Sequence, residues 1–231
     1  MKRWLLLLLL AGCSSAGKDD ESPASVEAEM TAPGLTARPD RFEAVLEAVG
    51  RPAWKERVTR IQFTWHHIGK GLKRSYEWDL LADQVTATAG EKTETFPSGG
   101  PGELHASFVN DSYWFLFELM AAEDGSLKRT LGPVQADGFR GKLPEMLTVD
   151  VRYPENEGYT GGDRYILYLD AQNLPRAWSF HKGGTWEPTL VTTREKHVRA
   201  HGVALPTEFR TADGAVFIRI ENVRINGEAL P

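Results

Sequence analysis

Histidine is the residue type in this sequence best suited to holding a metal ion, but the spacing of its histidines does not favour a metal site. His66 and His67 are adjacent, so on a strand their side chains point to opposite faces and cannot both bind one ion. His197 and His201 are spaced for one helical face, but the segment lacks the glutamate of the HExxH motif and favours a strand. The sequence therefore predicts surface or hydrogen-bonded histidines and no metal centre.

Paired carboxylates are the other arrangement that could do chemistry. Asp79 with Asp83, and Glu155 with Glu157, fall at predicted strand ends or loops, where solvated charge is the ordinary outcome. The sequence has no G-x-S-x-G motif, no phosphate-binding G-x-x-x-x-G-K-[ST] loop and no G-x-G-x-x-G at a strand-to-helix junction. We therefore predict no catalytic residues and no cofactor, and a hydrolase remains only as an alternative whose acids are not located.

The single cysteine, Cys13, follows a short basic head and six leucines. This apolar run is far shorter than the roughly 20 residues that cross a bilayer, and it is typical of a secretory signal. Residues 10–13, Leu-Ala-Gly-Cys, resemble the bacterial lipobox, in which the cysteine is acylated and becomes the new N-terminus after cleavage. A disulfide would need a second cysteine, so lipidation is favoured over a plain buried or free thiol.

These features predict a chain of three parts. Residues 1–12 form a lipoprotein signal peptide, and residues 13–37 form a lipidated, disordered tether rich in Ser, Ala, Gly, Pro and acid. Residues 38–231 form one β-rich domain. The net charge is −5, with no basic stripe, so nucleic acid is not an expected partner. Several acyl chains would give stable membrane attachment, and Ser14 after the cysteine favours the outer membrane, facing the periplasm.

Hydrophobic periodicity predicts a helix followed by strands. Four apolar residues follow 3.6-residue spacing and indicate one amphipathic helix: Phe42, Val45, Leu46 and Val49. They lie between Asp40, a predicted cap, and Gly50. The period then changes to two, around Trp65 and Trp78, which predicts two antiparallel strands joined near residues 69–71.

Strand alternation returns in the second half of the sequence. Residues 147–153, 164–170 and 176–182 predict a meander, with a turn at Asp170 and Asn173. Near the end the apolar phase slips across Asn222, which predicts a bulge.

The segment "VNDSYWFLFELMAAEDG" predicts a helix with apolar residues on nearly all sides. Asn110 and Asp111 are its predicted caps, and residues 96–105 and 132–145 are predicted as flanking Gly/Pro-rich loops. We expect this helix to lie across a sheet.

Seven aromatic residues are candidates for binding an apolar ligand. They could form an ordinary core or line an apolar cavity, and sequence leaves both open. The seven are Trp65, Trp78, Trp114, Phe115, Phe117, Trp178 and Phe180. The predicted fold class is α+β, with a curved antiparallel sheet that forms an incomplete barrel covered by a few helices.

This outline resembles the LolA-like superfamily of bacterial lipoprotein carriers and lipid-binding lipoproteins. The similar stretches, within residues 38–231, are "EAVGRPAWKERVTRIQFTW", "RYILYLDAQNLPRAWSF" and "HGVALPTEFRTADGAVFIRIENVRI". The lipobox matches the lipid-anchored members rather than the soluble carrier, which is not lipidated. The resemblance implies a non-enzymatic envelope module that binds a lipid or other apolar ligand. The alternative is an envelope lipoprotein with a filled core that docks a protein partner.

Overall fold

The four apolar residues predicted to form one helical face are buried together in the first helix of the structure, a computed structural model. It describes residues 41–125, 127–135, 146–155 and 160–230, with the backbone alone for 129–135. The helix, α1, spans Arg41–Val49 and buries Phe42, Val45, Leu46 and Val49. Cys13, the signal and tether segments, the Asp40 cap and Glu157 lie outside the described residues.

A second helix, α2, spans Arg51–Arg57 and begins directly after Gly50. Gly50 has a φ of +84°, a left-handed conformation that glycine adopts without a steric penalty. Its Cα also approaches the turn at Gly202 so closely that an added Cβ would overlap the Gly202 carbonyl oxygen. Only glycine therefore allows this packing between the two helices and that turn.

The first sheet combines strands from the beginning and the end of the described chain. Its order is β12-β13-β1-β2-β3-β4, with β14 also paired to β13. The strands are β1 (Arg60–His67), β2 (Leu72–Asp79), β3 (Gln84–Ala89), β4 (Lys92–Pro97), β12 (Glu208–Arg210), β13 (Val216–Ile225) and β14 (Glu228–Ala229). The predicted β1–β2 hairpin is confirmed, with Phe63 opposite Tyr76. The predicted bulge is confirmed where Asn222, at φ +54°, faces a register shift between Gln62 and Thr64.

The second sheet is a meander of consecutive strands. These are β5 (Lys128–Gln135), β6 (Met146–Arg152), β7 (Arg164–Leu169), β8 (Pro175–His181) and β9 (Leu190–Thr193). The predicted turn between β7 and β8 is confirmed, and Asn173 adopts a φ of +59° there. The predicted loop from residue 132 is wrong at its start, because β5 continues to Gln135 through a register shift that accommodates Pro133. Residues 136–145 lie outside the described part.

The two sheets meet at an antiparallel bridge between Glu195 and Glu208. The Glu195 amide donates to the Glu208 carbonyl oxygen at 2.8 Å, which connects the β9 side of one sheet to β12 of the other. A short hairpin, β10 (Val198–Ala200) with β11 (Val203–Leu205), lies beside this junction in the sequence. The predicted class is confirmed: the described sheets are antiparallel and curved, do not close into a barrel, and carry helices against them.

The long central helix, α3, spans His105–Glu123 and is buried on nearly all sides, as predicted. Its predicted caps are wrong, because Asn110 and Asp111 lie inside the helix. The carboxylate of Glu94 on β4 instead accepts the amides of Glu103 and Leu104, and this hydrogen bonding lowers the pKa of Glu94. Across the described ranges, no helix is both long enough and apolar enough to span a bilayer.

The helix α3 is interrupted at Leu116, where φ is −120° and ψ is 21°. No proline or glycine lies within the helix, so the interruption is not one imposed by those residues. It divides α3 into an N-terminal part that contains Asp111 and a C-terminal part that contains Glu118.

Candidate functional site

The candidate site is the inner face of the curved sheet together with the helix α3 that covers it. Four of the seven predicted aromatic residues meet here around Tyr165. Phe117 lies 4.8 Å from Tyr165 and 5.4 Å from Trp178 between ring centroids. Trp114 lies 5.1 Å from Trp178, and Phe180 lies 5.2 Å from Tyr165. We call these five residues the aromatic cluster.

The other three predicted residues lie outside this cluster. Phe115 packs on Phe63 at 5.0 Å, and Trp78 packs on Phe108 at 5.4 Å. Trp65 lies under the guanidinium of Arg74, whose Cζ is 4.4 Å from the indole centroid. The seven residues are therefore divided between α3 and strands of both sheets, and only four of them meet in the aromatic cluster.

The aromatic cluster is packed ring against ring. Phe117 is 0% exposed and Trp178 is 4% exposed. Two surface depressions in the described part of the chain, one between α1 and α2 and one over β1 to β3, contain no member of the cluster. In this conformation α3 and the sheet fill the space between them, so a ligand could occupy the site only if part of α3 moved. Ligand binding by these residues stays a prediction.

Two ion pairs attach α3 to the inner face of the sheet. Asp111, fully buried, accepts from Arg74 of β2 through Nε at 2.6 Å and Nη2 at 2.7 Å. The Tyr76 hydroxyl donates to the same carboxylate at 2.7 Å, and Asn110 Nδ2 donates at 2.9 Å. Such a bidentate, fully hydrogen-bonded pair compensates the cost of burying both charges.

The second ion pair is less complete. Arg194, which follows β9, is 1% exposed and donates to Glu118 through Nη2 at 2.8 Å. Arg194 Nε and Nη1 and Glu118 Oε1 are buried without a hydrogen-bond partner in the described part of the chain. Each unsatisfied buried polar atom costs about 1–3 kcal/mol. This pair therefore retains unused hydrogen-bonding capacity at the centre of the site.

Arg194 packs against aromatic rings and lies near a histidine. Its Cζ lies 5.5 Å from the Trp178 ring centroid and 5.7 Å from that of Phe209. Burial, together with the charge of Arg194, lowers the pKa of nearby His197 to about 4. His197 is thus held neutral, and the carboxylate of Glu118 is the group that balances the charge of Arg194 in this conformation.

Arg194, Glu118 and Tyr165 are not among the site residues predicted from the sequence. The partners in the Arg194 pair are 76 residues apart, and acidic residues are abundant, so no spacing signals the pair. A signal existed for Tyr165, because the unbroken run of bulky residues in β7 is typical of a strand buried on both faces.

The histidines and the paired carboxylates occupy separate structural settings. His66 hydrogen-bonds Glu221 at 2.9 Å, and Asp79 binds Arg60 and the backbone amides of a turn. Asp83 accepts from Ser98. Within the described residues, no three His, Cys, Asp or Glu side chains cluster in a way that could hold a metal ion.

A serine–histidine pair lies on the opposite face of β8 from Trp178. Ser179 Oγ is 2.9 Å from His181 Nε2, and His181 Nδ1 is 3.0 Å from the Thr185 carbonyl oxygen. With the ring proton donated to that carbonyl, Nε2 accepts the serine hydroxyl, the arrangement that activates a nucleophile. Ser179 is 0% exposed, however, so its hydroxyl is closed to substrate in this conformation.

No protein family matches the sequence, and no curated protein matches it. Among solved structures, the chain is similar to the crystal structure of a DUF1329 family protein from Desulfovibrio piger, with a TM-score of 0.42 and 11% identity. That alignment covers 81% of this chain and 94% of the other. A similarity at this level carries no assignment of family or function.

Proposed function

We propose that this protein is a lipid-anchored lipoprotein of the bacterial cell envelope that binds a lipid or another apolar ligand and catalyses no reaction. The observation that carries the proposal is the placement of α3, a helix apolar on nearly all sides, across the aromatic inner face of an open, curved sheet. Its anchor is the acylated Cys13, whose acyl chains insert into the outer membrane, and its folded part faces the periplasm.

The chemistry of the covered surface supports an apolar ligand. The aromatic cluster presents a large apolar area, and apolar burial is non-directional, contributing about 25 cal/mol per Å² removed from water. An acyl chain could therefore replace the contacts that α3 now makes with these rings. No catalytic group is needed for such binding.

The fold class also supports the proposal. An open antiparallel sheet with helices on its concave side is what the resemblance to the LolA-like lipid-binding lipoproteins implies. We therefore propose membership of that superfamily, with the lipobox at residues 10–13 as the feature that distinguishes an anchored member from a soluble carrier.

One observation favours a second function. The rings of the aromatic cluster are in contact, and Phe115 and Phe117 are 0% exposed. A permanently filled core of this kind would suit an envelope lipoprotein that acts by docking a protein partner. The two functions differ in whether α3 ever leaves the inner face.

The anchor is tested by Cys13→Ser expressed in a bacterial host. Loss of acylation should move the protein from the membrane fraction to the periplasmic fraction while its melting midpoint stays unchanged. A variant that still partitions with membranes after a salt wash would show that another segment holds the protein there.

The ligand site is tested in two steps. Native mass spectrometry of protein purified in mild detergent should detect a bound lipid. Brominated acyl chains, which quench tryptophan at short range, should then quench part of the fluorescence. Trp114→Phe and Trp178→Phe should each reduce the quenched part, and Trp186→Phe, at a 76% exposed residue, should not. No bound lipid and no quenching would favour the docking function.

A further inference from the structure

The two buried ion pairs that join α3 to the sheets differ in how completely they are satisfied. Both oxygens of Asp111 are occupied, by Arg74, Tyr76 and Asn110. Glu118, on the same helix, makes one hydrogen bond to Arg194, at 2.8 Å. The first pair has the character of a permanent attachment, and the second has spare donors and a spare acceptor.

The spare donors belong to a guanidinium. Arg194 Nε and Nη1 are buried and lack partners among the described residues, although a guanidinium matches the two oxygens of a carboxylate or phosphate in a bidentate arrangement. Buried polar atoms in native proteins are nearly always hydrogen-bonded. Nε and Nη1 lie on different edges of the guanidinium, so a two-oxygen anion would bind through Nη2 together with Nε or Nη1 once Glu118 has left. The side chain that would receive it is 1% exposed.

The aromatic side chains around the Arg194 guanidinium suit the apolar part of an amphiphilic ligand. Trp178 and Phe209 lie against the guanidinium, and Trp114 contacts both rings, at 5.1 and 5.3 Å. The aromatic cluster begins at these same side chains. An anionic group at Arg194 would therefore place an attached apolar chain along Trp178 and Phe117.

The interruption of α3 separates the two ion pairs. Leu116 departs from helical geometry between Asp111 and Glu118. A movement of the C-terminal part, residues 117–123, about this interruption would carry Glu118 away from Arg194 while Asp111 keeps the N-terminal part on Arg74. That movement would uncover Arg194 and the aromatic cluster together.

We propose that Arg194 is the subsite for the anionic end group, a carboxylate or a phosphate, of the apolar ligand, and that Glu118 occupies this subsite when no ligand is bound. This inference rests on the proposed function, because the ligand takes the place of the C-terminal part of α3. The ligand's two oxygens accept from Arg194, and Glu118 turns to solvent with the displaced segment.

The test compares ligands that share one chain and differ in end group. Dibromostearic acid, its methyl ester and the monoalkyl phosphate with the same brominated chain are titrated against the protein by tryptophan quenching. The acid or the alkyl phosphate should bind at least about tenfold more tightly than the ester, since a charged hydrogen-bonded contact is gained. The tighter of the two identifies the natural end group as a carboxylate or a phosphate.

Variants then test whether Arg194 and Glu118 cause the difference in affinity between the anionic ligands and the ester. Arg194→Gln should bring the affinity for the anionic ligand down to that for the ester. Glu118→Gln should raise the ratio of anionic to ester affinity, since the internal competitor loses its charge. Glu123→Gln is the matched control on the same part of the helix, because Glu123 pairs with Arg51 and Lys55 at the surface, and it should leave the ratio unchanged. If Arg194→Gln does not fold, Glu118→Gln and its control decide the question.

The outcomes separate the two proposals. Binding of ester and anionic ligands with equal affinity, or an unchanged ratio in Glu118→Gln, overturns the subsite and leaves lipid binding standing. Failure of every brominated ligand to bind overturns the proposed function and the subsite with it.

Discussion

The guanidinium of Arg74 binds both carboxylate oxygens of the fully buried Asp111, at 2.6 and 2.7 Å, and so fastens α3 to β2. Asp111→Asn leaves Arg74 without its counter-charge, and we expect it to lower the free energy of unfolding by about 3–5 kcal/mol. Glu123→Gln is the matched control, because Glu123 pairs with Arg51 and Lys55 at the surface, where the expected loss is below about 1 kcal/mol. Equal losses in urea denaturation would contradict the attachment role.

Phe117 tests how tightly α3 is packed on the second sheet. Phe117→Ala removes a ring that contacts Tyr165 and Trp178, and a residual void should cost about 3–5 kcal/mol. Trp186→Ala, at an exposed ring, should leave the melting transition nearly unchanged. A small loss in Phe117→Ala would indicate that the space beneath α3 is already open.

Gly50 tests the close approach of the α1–α2 junction to the Gly202 turn. Gly50→Ala combines a positive φ with an overlap against the Gly202 carbonyl oxygen. Gly214→Ala shares the positive φ, at +89°, but has no atom within 4 Å of the added Cβ. We expect about 1 kcal/mol of destabilisation at Gly214 and clearly more at Gly50, measured by thermal unfolding. Equal effects would mean that the turn shifts freely.

His197 makes the free energy of unfolding depend on pH. Its pKa is about 4 in the folded protein, below the ordinary value of 6.5, so the unfolded chain takes up this proton first. The stability that His197 contributes is present above pH 6.5 and is lost as pH falls from about 6.5 to about 4. His197→Asn should remove this loss from urea denaturation curves compared with the wild type. An NMR titration midpoint near 6.5 for the His197 ring would contradict the shift.

The elements that sequence predicted correctly are those whose own periodicity determines their burial. The four apolar residues of α1 and the alternation around Trp65 and Trp78 each bury one face, and the period alone reveals it. Asn173 marks the turn because asparagine tolerates a positive φ, and the slip of the apolar phase across Asn222 marks the bulge.

The start of α3 and the centre of the candidate site could not be predicted in the same way. The cap comes from Glu94 on a neighbouring strand, so no local pattern marks His105 as the first helical residue. Asp111 has the residue type of a cap but serves as the partner of Arg74, 37 residues away. Aromatic spacing likewise cannot distinguish a filled core from a cavity, because both use the same side chains and differ only in where α3 lies.

The pairing of β13 with β1 can form only late in folding. The two strands lie side by side within the first sheet, yet Asn222 and Thr64, which touch across them, are 158 residues apart. Closing so long a loop is entropically costly, and sheets built from distant strands fold slowly. The hairpins of β1–β4 and the β5–β9 meander can form from neighbouring residues as the chain emerges, whereas the open side of β1 stays unpaired until β13 arrives. A nascent or exported chain therefore exposes the unpaired edge of β1 until β13 has been synthesised and has paired with it. A chaperone that shields β1 would act at the stage when this protein is most prone to aggregate.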